Sequence, residues 1–114
     1  MIRNIPKPLN PLNIKAVSTM EIADELGVLH SAIIQKIEGY GTNPGIIPTL
    51  LEEQKDTSKY FVPTTFYGGN GRNYRCYLVT DPGRILLYNS FGKKRGIQLS
   101  IEILEEILDK GAIK

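Results

Sequence analysis

The stretch that most constrains this chain is VSTMEIADELGVLHSAIIQKIEGY, residues 17–40. Ser18 stands three residues before Glu21. At that S-x-x-E spacing each side chain caps a backbone amide that the first turn of a helix leaves unbonded, so a helix start is expected there. Ile22, Ala23 and Leu26 then share one helical face. Gly27 ends the helix, because glycine adopts the left-handed backbone of a helix terminus without a Cβ penalty. After Val28 and Leu29 the pattern restarts with Ile33 and Ile37, four apart, and Gly39 closes a second helix. Two short helices crossing at a tight turn need a small residue at the contact and a plug at the crossing. Ala23 and Val28 supply them. The pair outlines a helix-turn-helix, whose second helix keeps one face free for a groove about as wide as itself.

Ahead of this pair, residues 1–13 hold Pro6, Pro8 and Pro11. Proline fixes φ and biases the preceding residue toward extended geometry, so an extended arm is expected, not a helix. Terminal arms are often disordered, which is the expectation here. The alternative is an arm that uses Arg3 and Lys7 along a groove or a partner. A single domain over residues 14–114 follows from the length.

Ile14–Val17 alternates as a short strand does. Downstream of the helix pair, Gly39, Gly41, Pro44 and Gly45 make a flexible connection. Pro48 suits the first position of a short third helix, PTLLEEQK. KYFVPTTFY and RNYRCYLVT are rich in aromatic and β-branched residues and are separated by GGNG, which predicts a hairpin. Pro63 places its strand at an edge. Tyr60, Phe61, Phe66, Tyr67, Tyr74 and Tyr77 are expected as core and cross-strand packing, although such rings also stack bases. Thr80 or Asp81 is expected to cap a helix bearing Ile85, Leu86 and Asn89. GKKRG reads as a basic loop. LSIEILEEILDKG reads as a last helix, with Ser100 as N-cap, Ile103, Leu104, Ile107 and Leu108 as its apolar face, and Gly111 past its end. The expected fold class is α+β, a winged helix-turn-helix with the hairpin as its wing.

Composition bears on the partner. A net charge of +2 and a pI near 8.7 fall short of the global basic excess that holds a protein on phosphates, so DNA affinity requires clustered charge. One histidine and one cysteine give no paired-ligand spacing for zinc, and no metal or cofactor is expected. Cys76 alternates into a strand and reads as packing, not as a nucleophile paired with His30. Glu52, Glu53, Glu105 and Glu106 read as solvated helix faces, and no enzyme is expected. No apolar run approaches the ~20 residues that span a bilayer. The proline-bearing start is not a secretory signal, and a lone cysteine forms no internal disulfide. The cytoplasm is the expected location.

Within the helix pair, GVLHSAIIQKI resembles the helix-turn-helix of phage repressors of the Cro type. Its free face carries His30, Ser31, Gln35 and Lys36. Ser and Gln hydrogen-bond base edges, Gln bidentately to adenine, and Lys36 suits a phosphate. The hairpin tip YGGNGRNYR offers Arg72 to the backbone. Arg75, inside the strand, is expected to face solvent. Lys93, Lys94 and Arg95 form the strongest cationic cluster and suit phosphate neutralisation. The same cations would also favour a helix C-terminus. Ile34 and Glu38 point elsewhere: an isoleucine near the reading face and an acid at its end both fit a protein partner.

A wider resemblance runs through YRCYLVTDPGRILLYNSFGKKRG. It resembles the phage regulatory protein Rha family, in which a helix-turn-helix-like segment precedes a hairpin, a C-Y-L-[LV]-T-x-x-G stretch and an F-x-G-K-K stretch. The matching positions here are Cys76, Tyr77, Leu78, Val79, Thr80 and Gly83, then Phe91, Gly92, Lys93 and Lys94. His30 stands where the family places a histidine before the second helix. The resemblance covers residues 17–95. Phe91 and Gly92 are one residue tighter than the pattern, Arg84 replaces a bulky residue, and YGTNPGIIP looks like an insertion. The resemblance implies a phage or prophage regulator of the lysis–lysogeny decision, acting in a bacterial host on double-stranded DNA. Its alternative is a protein-binding antirepressor or an inhibitor of a host defence protein. A homodimer reading a two-fold site is the expected assembly. The last helix is expected as core, with a dimer surface as the alternative.

Overall fold

The computed structural model describes residues 5–92 and 94–109. Among them the chain forms β1 (Val17–Ser18), α1 (Thr19–Leu26), α2 (His30–Glu38), α3 (Ile46–Glu52), a 3-10 turn (Thr57–Lys59), β2 (Phe61–Tyr67), β3 (Asn73–Val79), α4 (Asp81–Ser90) and α5 (Lys94–Asp109). The architecture is α+β, with the strands in one antiparallel sheet ordered β1–β3–β2. None of the described helices is long and apolar enough to cross a membrane.

The capping box forms as its spacing demands. Glu21 N–H donates to Ser18 Oγ at 3.1 Å, and Ser18 N–H donates to Glu21 Oε1 at 3.2 Å. Gly27 takes φ 70°, and Val28 N–H donates to Ala23 C=O, which turns the chain into α2. Ile22, Ala23 and Leu26 of α1 and Ile33 and Ile37 of α2 are buried in one core with Phe61, Val79, Leu87 and Tyr88.

β2 and β3 run in register from Phe61↔Val79 to Tyr67↔Asn73, and β1 pairs Val17 with Val79. β3 is therefore central. Its second half, Cys76–Val79, is buried, while Asn73–Arg75 is exposed. β2 is an edge strand, where Pro63 is tolerated. The strand expected over 14–17 is displaced to Val17–Ser18. The cause is Asn10, whose side chain bonds both the N–H and the C=O of Ile14 and so removes that residue from the ladder.

Within the arm, Leu9 is tied to β2. Leu9 N–H donates to Thr65 C=O at 3.0 Å, and Thr64 Oγ1 donates to Leu9 C=O at 2.7 Å. The segment covers the outer edge of β2, whose ladder groups would otherwise lie open to another chain. Arg3 lies outside the described residues.

α3 begins at Ile46, so Pro48 is its third residue, still within the first turn where no intrahelical N–H is required. Thr80 caps α4 by accepting from Gly83 N–H. The inward residues of α4 are Gly83, Leu87 and Tyr88, whereas Leu86 and Asn89 are exposed and Ile85 is half-buried. Tyr88 sets that rotation: its hydroxyl donates to Glu25 Oε1 of α1 at 2.5 Å.

α5 starts at Lys94, so most of the expected basic loop is helix, and Ser100 is internal to α5 and not its N-cap. Gly96 explains the early start. A Cβ there would lie 2.6 Å from the Tyr88 carbonyl oxygen, so only glycine lets α5 cross α4 this closely. Ser100 is buried, with Oγ 2.8 Å from Ile97 C=O and 3.2 Å from Asn89 Oδ1. Leu99 and Ile103 face the core with Ile107 beside them. Leu104 and Leu108, expected on that face, are exposed. Gly111 lies outside the described residues.

Candidate nucleic-acid interface

Ile33 and Ile37 are fully buried, which fixes the side of α2 that faces out. Ser31 and Gln35, four apart, are exposed on that outer side. They line an open groove of about 470 Å³ between α2 and the β2–β3 hairpin. His30, Ile34 and Glu38 complete the helix wall, and Phe66, Tyr74 and Arg75 form the hairpin wall.

His30 opens α2 and is half-buried. Thr19 Oγ1 accepts Tyr77 N–H at 3.3 Å and lies 2.8 Å from His30 Nε2. One hydroxyl thus ties α1, α2 and β3 together. The imidazole meets Phe66 edge-on at 6.3 Å, and Phe66 stacks on Tyr74 at 5.6 Å. Burial lowers the His30 pKa below its ordinary value, and the Arg75 charge adds to this. The neutral ring is favoured.

Glu38 ends the helix against the hairpin. The Arg75 guanidinium grips both its carboxylate oxygens, with Nη2 to Oε1 at 2.9 Å, and Tyr77 Oη donates to Oε2 at 2.7 Å. The Arg75 hydrogen bond holds the Glu38 carboxyl below its ordinary range, against the opposing effect of burial. Burial, helped by the Glu38 bond, pushes Tyr77 up to about 12. The Glu38 charge is therefore balanced within the chain by Arg75. Ile34 is half-buried and packs against the core, forming part of the groove wall without standing free of it.

Lys36 belongs to a different flank. Its Nζ sits 5.3 Å from the centre of the Phe91 ring, beyond the end of α4. Lys94 is exposed in the first turn of α5, three residues past Phe91. Lys93 and the side chain of Arg95 lie outside the described residues. Arg72 is exposed in the hairpin tip, where its C=O accepts Gly68 N–H at 2.9 Å. The Arg75 side chain is exposed as well, but it is committed to Glu38.

The structure thus divides the sequence-derived set. Ser31, Gln35 and His30 share the groove, Lys36 lies on the flank toward α4 and α5, and Arg72 stands at the hairpin tip. The residues that sequence reasoning missed as a unit are Glu38, Arg75 and Tyr77, which meet across separations of 37 and 39 residues. No local spacing marks such a contact. Of the hairpin aromatics, Phe61 and Tyr77 are core, whereas Tyr67 and Tyr74 are exposed. Burial pushes the Cys76 thiol up to about 11, which leaves it unreactive near neutrality. Compared with protein families, curated proteins and solved structures, the chain matches none.

Proposed function

We propose that this protein is a winged-helix DNA-binding regulator that lays α2 in the major groove of double-stranded DNA, with the β2–β3 hairpin as the wing. The observation that carries the reading is the exposed Ser31–Gln35 pair on a helix whose inner side is locked by Ile33 and Ile37. Both side chains hydrogen-bond base edges. Two cations stand on opposite sides of this pair and suit phosphate: exposed Arg72 at the wing tip, and Lys36 on the side toward Phe91. The internal pairing of Glu38 with Arg75 removes the main electrostatic objection. A role in a phage lysis–lysogeny decision rests on the sequence resemblance alone.

A second reading has its own support, since Ile34, Phe66, Tyr74 and Tyr40 give the groove apolar walls. In that reading the groove holds a segment of a regulatory protein. Tyr40 separates the two, because it is 70% exposed and lies outside the core. Tyr40→Ala is expected to weaken capture of a protein segment more than it weakens duplex binding.

Fluorescence-anisotropy titration of labelled duplexes at two salt concentrations tests the DNA reading. Salt-sensitive binding is expected, with Arg72→Ala making the salt slope shallower by about one unit at every sequence. Gln35→Ala is expected to cost about 1–3 kcal/mol at a preferred site and little at random sequence. Absence of binding at low salt would overturn the proposal.

A further inference from the structure

α5 packs chiefly on α4, and its buried positions are Gly96, Leu99, Ser100 and Ile103. A second apolar line runs along its outer side. Ile97, Ile101, Leu104 and Leu108 are 44, 49, 45 and 60% exposed. Their spacings of four, three and four form a straight seam of the kind that joins two helices. The seam is ~17 Å long at the helical rise. An exposed apolar strip of that kind marks an interaction surface.

The charges on α5 run against its own dipole. Lys94 occupies the first turn, which holds no acid, while Glu106 and Asp109 stand in the last turn, which holds no base. In a lone helix both placements are unfavourable. An antiparallel second helix of the same sequence reverses this. With a two-fold axis between Ile101 and Leu104, Ile101 of one copy faces Leu104 of the other, and Ile97 faces Leu108. Lys94 of one copy then lies level, to within ~3 Å along the axis, with Asp109 of the other. Basic ends meet acidic ends, and the two dipoles oppose. A two-fold axis makes each contact twice, so one self-complementary strip suffices.

We propose that a second copy of this chain docks on the Ile97–Leu108 strip, pairing α5 with α5 antiparallel across a two-fold axis. The pairing uses α5 alone and does not depend on what α2 contacts.

Sedimentation velocity of the full chain from ~1 to ~100 µM tests it, a range suited to the modest affinity of a short seam. The mass is expected to rise with concentration from 12.7 kDa to twice that value. Ile101→Glu, at a half-exposed position outside the core, is expected to hold the single-chain mass with its helical circular dichroism retained. Lys94→Glu is expected to weaken association about tenfold, and Lys94→Glu with Asp109→Lys in the same chain to restore it. Each of these swaps favours the isolated helix, so a weaker dimer cannot reflect a weaker helix. Three results would overturn the proposal. One is a wild-type chain that stays single at the highest concentration, which leaves the strip to a different partner. Another is a dimer that survives Ile101→Glu. The third is a double swap that associates no better than Lys94→Glu.

Discussion

His30 shows how one side chain carries both a packing and a titration role. It is placed by Thr19 and Phe66 at the junction of three elements, and its imidazole is more easily kept neutral there than in water. Its folded pKa lies below the ordinary 6.5. The unfolded chain therefore takes up the proton first as pH falls, so stability is full above that value. It declines as pH drops from the unfolded pKa to the folded one, then levels. Urea midpoints are expected to fall between about pH 7.5 and about pH 5.5, and to stay flat over that window in His30→Gln. Glu38 does not blur the result, since its carboxyl is held below its ordinary value of 4.5. Equal slopes for the two proteins would show that His30 is not desolvated by the fold. The position of His30 just before the apolar spacing of α2 is visible in the sequence. Its contacts are not, because Phe66 reaches it from the hairpin.

Elements whose causes are local are legible, and those whose causes lie far off are not. Ser18, Glu21 and Gly27 fix both ends of α1 within a ten-residue window, and the structure places both ends there. The hairpin follows from two β-rich runs about a glycine-rich tip. The outward direction of Ser31 and Gln35 follows from Ile33 and Ile37. By contrast, the arm docks on a strand 55 residues away. Lys36, at the margin of the apolar stripe, is drawn aside by Phe91. The start of α5 is set by Gly96 against the backbone of Tyr88, and in the sequence glycine reads as a loop signal. That contact makes a signed test. In an exposed helix, glycine to alanine is favourable by about 1 kcal/mol. At this crossing the added methyl meets a backbone oxygen, and overpacking of that kind costs about 1–3 kcal/mol. Gly96→Ala is therefore expected to lower the urea midpoint. A higher midpoint would mean that α5 does not cross α4 at this point.

At the scale of the whole molecule, the Glu38–Arg75 contact couples architecture to recognition. It fastens the hairpin to the end of α2 and at the same time sets the charge presented by the groove. The pair is partly open to solvent, with the Arg75 side chain 64% exposed, so its contribution to stability is modest. Its contribution to binding is separable. While Glu38 holds the guanidinium, Arg75 is withheld from phosphate; once the carboxylate becomes an amide, one cation is released beside Gln35 and one anion is lost. Glu38→Gln keeps the shape and an acceptor for Tyr77 Oη. It is expected to tighten duplex binding at all sequences and to steepen the salt dependence by about one unit, as one more phosphate is neutralised. Arg75→Ala acts in the opposite direction, because it leaves the Glu38 carboxylate facing the duplex uncompensated. Its affinity loss is expected to exceed that of Arg72→Ala, which removes a single cation from the wing tip. Anisotropy titrations of the three variants at two salt concentrations order them directly. If Glu38→Gln and wild type bind alike while Arg72→Ala binds weakly, the duplex meets the wing and not the groove wall. If none of the three changes duplex affinity, α2 and its hairpin face a partner other than DNA.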